Sequence, residues 1–227
     1  MWVIPGVGKV KTLACLQDLG VEETVRIADL SHNHRKALLE LARGRLIVVS
    51  GPSGVGKGTV IRELAKHTSF HLSVSATTRQ MRPGEVDGRD YFFLSETEFN
   101  EWIDEDRLLE WAEYAGNLYG TPREAVEQHL RAGRDVVLEI EVQGARQVKT
   151  AMPEALLVFI LPPSIEELEQ RLKGRGDTTN VAERLATARK ELEEVPFFDF
   201  TVVNDDVERA AGELRSILRV LPKFRMQ

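Results

Sequence analysis

Apolar positions along the chain fall into two alternating rhythms. Leu46-Ile47-Val48-Val49-Ser50 is a short apolar run, β-branched at its centre and closed by Gly51, which predicts a buried strand. After Gly56, Val60, Ile61 and Leu64 return at helical spacing and predict a helix. The same alternation predicts further strands over 135–142 (DVVLEIEV), 156–161 and 200–203, with helices over 122–131, 164–172, 182–194 and 206–218. Strands separated by helices imply an α/β fold, a parallel sheet covered on both faces. Ligands of such sheets bind at the carboxyl ends of the strands. Two stretches break the rhythm. Residues 76–121 are rich in Arg, Glu and aromatics and read as an inserted substrate-handling segment; residues 172–184, containing GRGDTTN, read as a glycine-hinged lid. Residues 1–43 precede the first core strand and are helical in pattern.

Composition narrows the function classes. The chain has 227 residues, 42% hydrophobic and 29% charged, which suits a folded domain with a small appendage. A net charge of −6 argues against non-specific nucleic-acid binding by the chain as a whole. Cys15 is the single cysteine, so no intrachain disulfide forms and a reducing, cytoplasmic setting is expected. The longest apolar run, Ala155–Leu161, is too short to span a membrane, and Met1–Gly6 lacks the features of a secretory leader. Isolated histidines beside one cysteine give no zinc-site pattern.

Gly51-Pro52-Ser53-Gly54-Val55-Gly56-Lys57 fits G-x-x-x-x-G-K between a predicted strand and a predicted helix. Glycines let backbone N–H groups turn inward around phosphate oxygens, the helix start adds a favourable dipole, and Lys57 can reach the β- and γ-phosphates. The usual Ser or Thr after the lysine is Gly58, with Thr59 one place later. One residue is about 100° of helical rotation, so Thr59 does not simply replace the missing hydroxyl. Mg²⁺ accompanying the bound nucleotide is therefore expected to be held mainly by phosphates and water.

Downstream, Arg79 and Arg82 precede Gly84-Glu85 and Gly88-Arg89-Asp90-Tyr91. Two guanidinium forks and a phenol suit a dianionic phosphate. Glu110 leads to Tyr119-Gly120-Thr121. Guanine presents two adjacent donors beside its O6 acceptor, so a carboxylate at Glu110 can accept both while hydroxyls on Ser75 or Thr121 donate to O6. Adenine places an acceptor where guanine has a donor, and the same carboxylate repels it.

Gly51–Thr59, Ser75–Arg82, Gly84–Tyr91, Glu110–Thr121 and Val203–Asp206 resemble, in order, the successive motifs of guanylate kinases across residues 44–220. The resemblance implies transfer of the γ-phosphoryl group of ATP to GMP or dGMP. It puts Ser75, Arg79, Arg82, Tyr91, Glu110, Tyr119 and Thr121 on GMP-binding positions and Asn204 at the adenine end of ATP. It aligns Glu139 and Glu141 with an acidic pair; in a strand the two share one face, Glu141 toward the substrate nucleoside and Glu139 toward metal-bound water. Arg171, Arg175 and Arg184 flank Gly174 and Gly176. Arg171 would help hold ATP. Arg175 and Arg184, with Lys57 and Arg79, would stabilise charge on the transferring phosphoryl group. A scaffold of the same fold that binds peptides without catalysis has no use for Lys57, the clamp and these arginines together.

Residues 1–43 resemble the helix–two-turns–helix module of actinobacterial integration host factor, which implies DNA-backbone contact by Lys9, Lys11 and the turn at Gly6-Val7-Gly8. Six basic residues against five acids give a net charge of only +1, weak attraction for a polyanion. A remnant used for packing or oligomer contacts is the other reading. Oligomeric state is not written in the sequence.

Overall fold

The computed structural model describes residues 16–17, 20–22, 29–114, 116–174 and 181–220. The opening turn with Lys9 and Lys11, and therefore the DNA-binding expectation, lies outside them, as do Arg175 and the centre of the expected lid.

The chain enters through α1 (His32–Ala42) and then builds the central sheet. Its strands are β1 (Leu46–Ser50), β2 (His71–Leu72), β7 (Val136–Glu139), β8 (Leu156–Leu161) and β9 (Phe200–Val203), in the order β2-β7-β1-β8-β9. Every pairing is parallel, as the α/β expectation requires. Helices α2 (Lys57–Ala65), α4 (Arg123–Arg131), α5 (Val142–Ala151), α6 (Ile165–Lys173), α7 (Val181–Glu193) and α8 (Val207–Val220) cover it. The period of two within β1 decides which helices meet which face. Ile47 and Val49 pack with Ile61 and Leu64 of α2, Leu168 of α6 and Leu214 of α8. Leu46 and Val48 point the other way, to Val126 and Leu130 of α4 and Ala145 and Val148 of α5.

The insertion is a second sheet, not an irregular loop. Strands β3 (Ala76–Thr77), β4 (Phe92–Phe93), β5 (Leu108–Tyr114) and β6 (Asn117–Pro122) run in the order β4-β3-β6-β5, with α3 (Glu96–Asp104) against them. Ala76, Phe99 and Leu108 form its small core. Ser95 and Glu98 close α3 with a reciprocal capping box.

One boundary differs from expectation with consequences for the site. The strand predicted over 135–142 stops at Glu139, and Val142 already belongs to α5. The last ladder bond runs from Ile140 N to Val49 O at 3.3 Å. Beyond it, Val142, Ala145 and Val148 are buried at helical spacing, and that stripe outweighs the β-branched character of the residues before it. Glu139 and Glu141 therefore do not share a strand face; Glu141 is the residue preceding the first turn of α5.

At the opposite end of the sheet, Asp135 ties three elements. Its carboxylate accepts from Arg45 N at 2.8 Å, Nε at 3.2 Å and Nη2 at 2.5 Å, while Arg45 Nη1 donates to Leu218 O on α8. Both side chains are largely buried. Asp135→Ala should therefore cost about 3 kcal/mol, because it removes the carboxylate from a largely buried ion pair; urea unfolding monitored by circular dichroism measures this.

Candidate active site

β1 ends at the carboxyl edge of the sheet and feeds the glycine loop into α2. Gly56 sits at φ 99°, and a Cβ there would stand 2.6 Å from Asn204 Nδ2. Only glycine meets both conditions. Asn204, 3% exposed, donates through Nδ2 to Val55 O at 2.7 Å, so the end of β9 props the loop from beneath. Arg171 on α6 adds a second prop: Nη1 donates to Val55 O at 3.3 Å, Nη2 to Asn204 O at 3.0 Å, and Nε to Glu167 Oε1 at 3.1 Å. Lys57 Nζ donates to Gly51 O at 2.5 Å and lies 3.4 Å from Pro52 O. Arg184 reaches across from α7, its Nη2 donating to Ser53 Oγ at 2.9 Å.

Two cavities meet at this loop. One, about 330 Å³, is lined by Pro52, Ser53, Gly56, Lys57, Gly58 and Glu139, among others. The other, about 420 Å³, lies between the two sheets; Lys57, Ser75, Tyr91, Glu110, Glu139 and Glu141 are among the residues on its wall. Lys57 and Glu139 belong to both. The Glu139 oxygens stand 3.1 and 3.3 Å from the point where a Gly58 side chain would begin. The missing hydroxyl thus leaves room that a carboxylate occupies from the neighbouring strand.

Glu110 lies at the inner end of the larger cavity, only 6% exposed. Its Oε1 accepts from the Thr121 hydroxyl at 2.6 Å, across the β5–β6 register that pairs the two residues. Burial pushes the Glu110 carboxyl up to about 7, with the Glu141 charge adding to it and the Thr121 contacts opposing. Glu141 is also raised, by desolvation against the cleft wall, with Lys57 pulling it back down.

Nearer the mouth, Arg79 makes a two-pronged pair with Glu85, Nη2 to Oε1 at 2.8 Å and Nη1 to Oε2 at 3.1 Å. Its guanidinium also lies 5.3 Å from the Tyr91 ring centre, and Tyr91 meets Tyr119 edge-on at 6.1 Å. Arg82 is exposed, and its backbone N–H donates to the same Glu85 carboxylate at 2.7 Å.

The chain that builds this site has known relatives. The family model for guanylate kinase matches residues 43–221. This chain belongs to the guanylate kinase family. The guanylate kinase of Rubrobacter xylanophilus is 56% identical over 182 residues, covering 79% of this chain and 95% of that one. That of Synechocystis sp. is 54% identical over 179 residues, covering 78% and 94%. The crystal structure of guanylate kinase from Anaplasma phagocytophilum superposes with a TM-score of 0.65 at 35% identity, covering 78% of this chain and 85% of that chain.

Among the residues expected from the guanylate kinase motifs, Lys57, Ser75, Tyr91, Glu110, Tyr119, Glu139 and Glu141 share the larger cavity. Thr121 stands behind Glu110, while Arg79 and Arg82 lie beside the cavity and are absent from its lining. Arg171 and Asn204 hold the loop from behind with the contacts given above. Thr59 lines the glycine-loop cavity, its hydroxyl accepting from Arg62 Nη2 at 3.1 Å. Arg175 lies outside the described residues.

Sequence reasoning passed over Glu191. It lies seven residues after Arg184, two helical turns on and so on the same face of α7, a spacing that could have flagged it. Burial pushes its carboxyl up to about 7; Lys57 and a Ser53 backbone contact oppose this, and Glu141 adds to it. Its Oε2 is buried without a hydrogen-bond partner among the described residues, as is Nε of Arg184.

Proposed function

We propose that this chain transfers the γ-phosphoryl group of ATP to GMP or dGMP, giving ADP and GDP or dGDP. The reading rests above all on one observation: Lys57 lines both the glycine-loop cavity and the cavity that ends in buried Glu110. A donor phosphate held by the loop and an acceptor phosphate leading from a base at Glu110 would meet at its ammonium. In this reading Gly51–Thr59 cradle the ATP phosphates, and Arg184 acts on them from α7 with Arg175. Arg171 and Asn204 shape the adenine side of that cradle. Ser75, Tyr91, Glu110, Tyr119, Thr121 and Glu141 hold the guanine nucleotide, with Arg79 and Arg82 for its phosphate. A guanine seated there offers two donors to the Glu110 carboxylate, and its O6 takes a donor from Ser75, since the Thr121 hydroxyl already donates to Glu110 Oε1. The Arg79 fork exchanges its contacts with the Glu85 carboxylate for the α-phosphate of the acceptor, one anion replacing another.

An ionised oxygen of that phosphate attacks the γ-phosphorus. The new P–O bond forms as the bond to the β-bridging oxygen breaks, and the electron pair leaves with ADP. The nucleophile carries no proton, so no general base is needed. Catalysis is positioning and charge stabilisation by Lys57, Arg79, Arg184 and Arg175. The donor set at the loop suits Mg²⁺: one carboxylate, Glu139, faces a helix start with no hydroxyl at Gly58, which fits an ion held chiefly by phosphate oxygens and water. When bound, it would neutralise phosphate charge, with Glu139 accepting from a coordinated water. Residues 1–43 form an appendage to a kinase unit that begins at Gly44.

ADP release with Mg²⁺-ATP and a panel of GMP, dGMP, AMP, CMP, UMP and dTMP tests the reading. Turnover with GMP alone among the ribonucleotides is expected. Comparable rates with AMP would exclude Glu110 as a guanine reader, and no turnover with any acceptor would exclude the kinase reading.

A further inference from the structure

The carboxylate at Glu110 is not seated by its own sheet alone. It belongs to β5, the outer strand of the small sheet, whose inner side pairs with β6. The far side meets α5 of the central domain. There the carboxamide of Gln147 takes both outward-facing backbone groups of Trp111, the residue after Glu110. Trp111 N donates to Gln147 Oε1 at 3.1 Å, and Gln147 Nε2 donates to Trp111 O at 2.8 Å. One side chain thus stands in for a missing neighbouring strand. One helical turn earlier, Gly144 is buried against the carboxylate itself. A Cβ at Gly144 would stand 2.5 Å from Glu110 Oε2 and 3.1 Å from its Cδ.

We infer that Gly144 and Gln147 are positioning residues that fix the seat of the Glu110 carboxylate and so set discrimination between acceptor bases. Gln147 locks the backbone next to the carboxylate in register, and Gly144 leaves the space into which the carboxylate backs. The glycine has a cost that the rest of the helix does not need, because Gly within a helix is less stable than Ala. Close approach of Oε2 is what an alanine there would prevent. The two residues lie on the same helix as the Val142, Ala145 and Val148 stripe packed into the central core, so the reader of the small sheet is referenced to the domain that carries the glycine loop. A carboxylate that reads two adjacent donors must lie in the plane of the base within hydrogen-bond tolerance, and displacement by about 1 Å weakens one contact or both.

This inference rests on the reading of Glu110 as the guanine reader, and inosine monophosphate separates the two. That nucleotide keeps the N1 donor and lacks the exocyclic amine, so the ratio of kcat/KM for GMP to that for IMP reports how well the carboxylate engages both donors. Gly144→Ala and Gln147→Leu are each expected to lower that ratio about tenfold. Most of the loss should fall in KM for GMP, with KM for ATP held within about twofold. In a Glu110→Gln background, neither substitution should lower the ratio further. Gly144→Ala gains helix propensity but must displace the buried Glu110 carboxylate, so a thermal melt accompanies the kinetics; if it fails to fold, Gln147→Leu on the same helix carries the test. A collapse of the ratio in Glu110→Gln with no change in either single variant overturns the positioning inference alone. An unchanged ratio in Glu110→Gln overturns the reading of Glu110 on which it rests. Equal loss with both acceptors and with ATP marks the two residues as merely structural and also overturns the inference.

Discussion

Glu110→Gln is expected to lower kcat/KM for GMP by about 10²–10³-fold while leaving KM for ATP within about threefold. The substitution keeps shape and one acceptor oxygen. It replaces the other with an NH₂ that confronts guanine's own donors inside a closed site. Two unpaired donors in a desolvated pocket account for an effect of about 3–4 kcal/mol. The glycine loop and Lys57 are untouched, so the loss should be confined to the acceptor side. Steady-state kinetics with each substrate varied separately measures the split.

The same variant should be more stable than the parent at alkaline pH. Burial pushes Glu110 up to about 7 from an ordinary 4.5, with Glu141 adding to the shift. The folded state thus holds this proton more tightly than the unfolded chain. Its contribution to stability is full below pH 4.5 and is lost as pH rises through about 7; above that, a buried charge costs the ligand-free protein about 3 kcal/mol. Gln carries no such charge. The difference in Tm between Glu110→Gln and the parent should accordingly be near zero at pH 4.5 and largest above pH 8. GMP supplies two donors to the ionised carboxylate, so its binding should release a proton near neutrality. KM for GMP should rise as pH falls below 7, and calorimetry in buffers of different ionisation enthalpy detects the proton. An E110Q protein less stable than the parent at pH 8 would show that Thr121 and the cleft compensate the charge fully.

What the sequence revealed and what it hid divide along the range of the interactions. The glycine loop was legible because strand, turn and helix are all encoded within Leu46–Leu64, and the φ of Gly56 is a local demand. The small sheet was not. β3 and β4 are two residues each, and β3 pairs with β6 more than forty positions away, so no periodicity builds up within either segment. α5 was hidden by the β-branched run before it and by Gly144 within it, which weakens a helical pattern on propensity alone. With it went the change of direction at Ile140, and so the mistaken strand face for Glu139 and Glu141. Both nevertheless meet the same cavity, because it wraps around the strand end. The Arg79–Glu85 pair was also unreadable: the turn at Gly84, with φ 91°, folds Glu85 back onto a guanidinium that the sequence assigned to a phosphate alone. Glu110 could be proposed from chemistry, but its burial, and hence its altered proton affinity, depended on α5.

Lys57→Met should lower kcat by about 10³-fold with a smaller effect on KM for GMP. The ammonium is fixed by Gly51 O and Pro52 O and borders both cavities, so it is preorganised where charge would build up between donor and acceptor phosphates. Its loss leaves the loop standing, since Asn204 and Arg171 brace Val55 and Gly56 independently of it. Base recognition at Glu110 is likewise independent, which is why affinity for GMP should suffer less than turnover. A second consequence is electrostatic. Lys57 holds down the proton affinities of Glu141 and Glu191, so in the variant both carboxyls should titrate at higher pH. Carboxyl resonances followed by NMR across pH 5–9 would register this even where turnover is too slow to measure. Lys57→Arg should not restore the rate, because a planar fork cannot occupy a seat made by two carbonyls for a compact ammonium. If K57M instead raises KM for both nucleotides and leaves kcat within about tenfold, the lysine binds ground states and the charge stabilisation must come from the arginines of α7 and the lid.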